Sequence, residues 1–176
     1  MSSNRLSTYS PVDVTTVIYH PATGITHTIG GYTDNSIVNI ERGKETYTHY
    51  NGVDDTSSRV YSADTSAKLT ISLQQTSASN DVLYHIYNYD RIYRGSNAGV
   101  FHVTTKDGSG RSILHTTEAY IGVVPNQQFG DSINSREWVI HCTRCEDVLG
   151  GNGPISTQDV AAIEKLGGVV PAEWRG

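Results

Sequence analysis

No apolar run in this chain approaches the roughly 20 residues of a bilayer-spanning helix, and no cluster of basic residues occurs anywhere in it. The first absence argues against membrane insertion and the second against a nucleic-acid footprint; with a formal net charge of −5, tight phosphate binding is not expected. Charged residues make up only 18% and apolar residues 36%, both low for a globular chain. Cysteine appears twice, as Cys142 and Cys145. Two thiols cannot complete a structural zinc site, and the helix-start context of a redox Cys-x-x-Cys is missing, so the pair reads as two thiols at a strand end. The N-terminus lacks the charged-then-apolar pattern of a secretory leader, so the chain is expected to be soluble and made in a cytosol.

Ser, Thr, Asn, 11 tyrosines and 17 glycines fill the deficit. That mixture favours strands joined by tight turns over a helical bundle, and 176 residues suffice for one domain with a real core. Strands are expected over Val12–Tyr19, Ile25–Ile29, Ser36–Glu41, Val100–Thr105, Arg111–Ala119 (continuing through Ile121–Val124) and Arg136–Cys142, with turns at His20–Gly24 and Lys106–Gly110. The clearest strand is Ser66–Gln74, where Ala67, Leu69, Ile71 and Leu73 share one face and Lys68, Thr70 and Ser72 the other. A short amphipathic helix follows, capped by Ser77 or Ser79, with Asp81 in its first turn and a stripe of Val82, Leu83, Ile86 and Tyr87. Ala67, Leu69, Ile71, Leu73, Val82, Leu83, Ile86 and Trp138 are the expected core.

Lys44–Asp64 stands apart, carrying Tyr47, His49, Tyr50, Arg59 and Tyr61 with few aliphatic residues and an Asn51-Gly52 turn signal. A polar stretch of this length suits a protruding hairpin arm whose tyrosines make contacts beyond the subunit. Past Gly150, a capping box at Ser156-x-x-Asp159 opens a short helix carrying Val160, Ile163 and Leu166, expected to pack peripherally or on a neighbour. The expected organisation is an N-terminal arm (1–11), a β domain (12–148, with the arm 44–64) and a C-terminal tail (149–176).

Catalytic signatures are weak. The seven histidines are scattered without metal-ligand spacing, and the adjacent carboxylates Asp54-Asp55 and Glu146-Asp147 point apart in any strand. No catalytic, metal or cofactor residue is assigned, and no enzyme is expected.

Three stretches resemble the tail tube proteins of tailed bacteriophages, especially contractile-tailed ones. They are the strand running into Ser77–Leu83, Phe129-Gly-Asp followed by Ser135-Arg-Glu-Trp138, and Ile37–Ile40 followed by the long polar arm. The resemblance covers about residues 12–148. It implies a mainly β fold, a β-sandwich or flattened barrel with one flanking helix, assembled as hexameric rings that stack into a hollow conduit for DNA. It further implies a virion location, synthesis in the bacterial host cytoplasm, and contacts with further copies of itself, a tape-measure protein, a baseplate and, in contractile tails, a sheath. DNA passes without specific binding, and no cofactor is needed. On this reading Tyr47, His49, Tyr50, Arg59 and Tyr61 make inter-subunit or inter-ring contacts, while Lys68, Thr70 and Ser72 face either the lumen or the outside. The alternatives are a carbohydrate- or surface-binding β-module of a virion, or a related ring protein such as a tail terminator, baseplate tube initiator or secretion-system tube.

Overall fold

A computed structural model describes residues 6–34 and 37–176. The first part of the expected N-terminal arm and the start of the strand expected at Ser36 lie outside the described residues. Ten strands and two α-helices follow in the order β1 (Val14–His20), β2 (Ile25–Thr28), β3 (Val38–Arg42), β4 (Tyr47–Asn51), β5 (Ser57–Tyr61), β6 (Ala67–Gln74), α1 (Ser79–Ile92), β7 (Phe101–Asp107), β8 (Ile113–Ile121), β9 (Ser135–Cys142), β10 (Glu146–Val148) and α2 (Thr157–Lys165).

Eight strands form one antiparallel sheet in the order β2-β1-β7-β8-β9-β6-β3, with β10 beside β8. The sheet wraps around a shared core: Ile18 and Val103 from one half join Leu69, Ile71 and Ile140 from the other in a single buried cluster. The path ends at β2 and β3 without joining them, so the flattened barrel is open. Alternation dictates this arrangement. On β6 burial follows the residue types one by one, with Ala67, Leu69, Ile71 and Leu73 buried and Lys68 exposed.

Turns follow their local chemistry. The β1–β2 hairpin closes through Gly24, whose N–H donates to the His20 carbonyl at 2.8 Å and whose φ of +71° suits glycine. Gly31 (φ +74°) passes so close to Ser77 that a Cβ there would sit 2.6 Å from the serine Cβ. That approach anchors α1, because Ser77 Oγ donates to the Gly30 carbonyl and accepts from the Ser79 N–H. The N-cap position itself falls on Ala78, which offers no side-chain bond, and Ser77 just before it satisfies the Ser79 N–H instead. Ser79 is buried and serves differently, accepting from the Gly30 N–H at 3.1 Å and bonding His27 Nε2 at 2.9 Å.

The helix buries Leu83 and Ile86, whereas Val82 and Tyr87 are only partly buried at the core's margin. Trp138 is buried, and its indole N–H donates to Asn80 Oδ1 at 2.9 Å. Asn80 in turn donates to the carbonyls of Gln74 and Ser77. Two of the stretches that carried the sequence resemblance, around Ser77 and around Trp138, thus meet in one hydrogen-bonded cluster.

The tail docks on its own chain. Ser156 caps α2 by accepting from the Asp159 N–H at 3.2 Å, and the chain returns so that Ile155 bridges Arg175. Arg111 lies over the Trp174 ring at 4.7 Å and donates to the Gly153 carbonyl. Asn152 donates to Asp107 in the β7–β8 hairpin at 2.7 Å. Desolvation raises the Asp107 pKa, but hydrogen bonds from Ser109 and Asn152 outweigh it and hold the carboxyl below its ordinary range. Val160 and Val170 are buried in this tail.

Candidate assembly surfaces

The arm is an extension of the β3–β6 hairpin. Past Arg42, which stands opposite Ala67, the Gly43 N–H donates to the Ser66 carbonyl, and β4 then pairs with β5 alone. Every residue of β4 and β5 is exposed. At the tip, Asp54 accepts from the Thr56 hydroxyl at 2.7 Å, a bond that lowers its carboxyl pKa and makes this carboxylate a turn element.

Register sorts the arm residues singled out from sequence. Tyr47 stands opposite Tyr61 and His49 opposite Arg59, so these four share one face. Their rings and charge are in contact: Tyr47 and Tyr61 lie 5.5 Å apart, and the Arg59 guanidinium sits 4.4 Å from the Tyr47 ring centroid. Tyr50 is not among them. It projects from the opposite face of the arm, which it shares with Val60.

Lys68, Thr70 and Ser72 lie on the sheet face turned away from the core. Lys68 is flanked by Glu41 on β3 and His141 on β9, Thr70 by Asn39 and Val139, and Ser72 by Glu137. His141 stacks on Tyr120 of β8 at 5.2 Å. The result is a largely polar face across β3, β6 and β9, interrupted by Val139.

Sequence reasoning missed a third surface. Beside the unpaired edge of β3 the barrel gapes into a groove of about 1060 Å³. Val38 and Ile40 line it from the core-facing side of β3, and Val12, Val14, Leu114, Val148 and Leu149 line it from the opposite side. Val12 and Leu149 are 88% and 94% exposed. Arg42 of β3 bonds Asp147 of β10 across the opening, while Asp34 and Asp107 stand on its lining with no further cation among the described residues there. The adjacent Val148-Leu149, apolar residues outside any periodic pattern, were the available signal.

The cysteines occupy the core. Both are free and buried, and desolvation pushes the Cys142 thiol up to about 12, with the neighbouring Cys145 adding to the effect. His141 and Cys142 are adjacent on β9 and point to opposite faces of the sheet, so they do not converge on one site. Among the described residues no three His, Cys, Asp or Glu side chains gather as a metal site. Because the thiolate is the reactive species, iodoacetamide at pH 8 is expected to leave both cysteines of the folded protein unmodified and to label both after denaturation, as read by mass spectrometry. Stoichiometric labelling of the folded chain would show that this part of the core opens.

Comparison with known proteins agrees with these features. Residues 6–150 match the family of the bacteriophage PhiTE tail tube protein. Structural protein ORF10 of Pseudomonas phage KPP10 is 43% identical over 172 residues, covering 98% of this chain and 99% of that protein. Among solved structures, the tube-terminating cap of the anti-feeding prophage superposes with a TM-score of 0.51 at 8% identity, over 84% of this chain and 95% of that one. A chain of the extended sheath–tube complex of the extracellular contractile injection system PVC gives 0.51 at 10% identity, over 80% and 91%. At such identities the structures speak for the fold; the sequence matches carry the assignment. The chain belongs to the PhiTE-type bacteriophage tail tube protein family, and is a structural component of the virion tail.

Proposed function

We propose that the subunit polymerises into stacked rings, hexameric as the family resemblance implies, that enclose a lumen through which DNA leaves the particle. The observation that carries this reading is a fold that is incomplete alone: a sheet whose edges β2 and β3 are unpaired among the described residues, beside an arm exposed along both strands. Unpaired edges are a hazard to a free monomer, and burial between neighbours in a closed ring removes them. The arm residues Tyr47, His49, Tyr50, Arg59 and Tyr61 then serve as contacts between copies. The polar face containing Lys68, Thr70 and Ser72 is suited to the lumen, because Glu41 beside Lys68 and Glu137 beside Ser72 outnumber the single lysine there and phosphates would not be trapped. Growth starts from a baseplate around a tape-measure protein, with a sheath outside the tube in contractile particles, after synthesis in the host cytoplasm.

The test is negative-stain electron microscopy of the purified chain over a concentration series, with and without purified baseplates. Hollow filaments of uniform diameter are expected. Single rings that never stack would favour a terminator, and dispersed monomers even with baseplates present would overturn the tube reading.

A further inference from the structure

The groove beside β3 has the chemistry of a receptor, and the chain itself carries a matching ligand. Its lining is apolar, and Val38 and Ile40 are left half-buried or exposed although they stand on the core-facing side of their strand. An unpaired edge strand runs along it. Of the charges that the described residues place on its lining, Arg42 is occupied by Asp147, which leaves Asp34, and Asp107 held by neutral donors from Ser109 and Asn152, as excess negative charge. An occupant should therefore be extended, apolar in body and cationic in part.

One face of the arm has these properties. Tyr47 and Tyr61 offer two rings already in contact, Arg59 lies against the Tyr47 ring, and the exposed backbone is extended. A tyrosine buries about 150–250 Å² when covered, so the pair is a substantial apolar anchor. No residue of the arm is among those lining the groove of its own subunit. The other face, with Tyr50 and Val60, has no cation to set against the acidic lining.

We propose that the Tyr47–Arg59–Tyr61 face of one subunit docks in the groove beside β3 of another copy. This rests on the tube reading and specifies its contact. Donor and receptor are different patches, so each copy gives one arm and receives one, and the contact propagates instead of closing a two-fold dimer.

The test places a cysteine at exposed Tyr61 and a second at Val12, Ile40 or Val148 of the same chain, then treats assembled tubes with a short bismaleimide. The native thiols are buried and do not compete. A covalent ladder of dimers and higher multimers is expected on a denaturing gel from at least one pairing, and none from the single-cysteine variants. In parallel, Val12→Lys with Ile40→Lys should stop stacking while circular dichroism stays that of the parent. Tubes that form without any ladder, or that grow normally from the lysine variant, overturn the docking and leave the tube reading standing. If the parent chain grows no tubes, with or without baseplates, and the variants give no ladder at any concentration, both fall.

Discussion

A chain in which residues 44–64 are replaced by a short Gly/Ser turn is expected to fold, to keep the parent's thermal stability within about 1 kcal/mol, and to form no tubes. The stability side follows from what the arm touches. Its strands pair only with each other, all their side chains are exposed, and the core cluster contains no residue between Val38 and Ala67. Closing the β3–β6 hairpin early, at the existing Gly43–Ser66 hydrogen bond, shortens a loop; each halving returns about 0.6 kcal/mol of closure entropy. The assembly side follows from what the deletion removes: Tyr47, His49, Tyr50, Arg59 and Tyr61 at once. Circular dichroism with thermal melting checks the first claim, and electron microscopy above the parent's critical concentration checks the second. Normal tubes from a folded deletion variant would show that stacking runs through other surfaces.

Much of this arrangement is visible in the residues before any coordinates. The β6 alternation is unambiguous, and it fixes which side of Lys68, Thr70 and Ser72 faces away from the core. The arm announces itself by the lack of aliphatic residues between Lys44 and Asp64. Within it, period-2 alternation already separates Tyr50 from Tyr47 and His49. Which face Arg59 and Tyr61 join depends on the pairing Tyr47↔Tyr61, a register that no single strand encodes. Strand β10 was missed for a similar reason. Glu146–Val148 has no pattern of its own and is a strand only because it continues the alignment of β9 on β8, with Cys142 opposite Ala119 and Glu146 opposite His115. The groove is less legible still, since the pattern of the Ile37–Ile40 strand does not show which of its edges is covered. Ile40 becomes surface because, among the described residues, no strand pairs with the outer edge of β3. Helix α1 extends to Ile92, past the short stripe that marks its buried face.

Trp138→Ala is the substitution expected to cost most in folding, about 3–5 kcal/mol. Trp138 is 3% exposed, stands opposite Ile71 in the sheet, and belongs to the core cluster with Leu83 and Ile86 of the helix. Truncation leaves a cavity between sheet and helix and deprives Asn80 Oδ1 of its donor, while Asn80 Nδ2 keeps the Gln74 and Ser77 carbonyls. Against a typical total of about 5–15 kcal/mol, a loss of that size leaves a marginal subunit. Urea unfolding reads it as a lower midpoint with an unchanged slope. A double-mutant cycle with Trp138→Phe and Asn80→Ala isolates the hydrogen bond, for which a coupling of about 0.5–1.5 kcal/mol is expected. A total loss below about 1 kcal/mol for Trp138→Ala would mean the core collapses around the gap. The variant also separates two ways of losing a tube: the arm deletion should give stable subunits that fail to stack, whereas Trp138→Ala should give subunits that stack when cold and fail as they unfold on warming. That difference places the arm on the link from structure to assembly and the tryptophan on the link from sequence to fold.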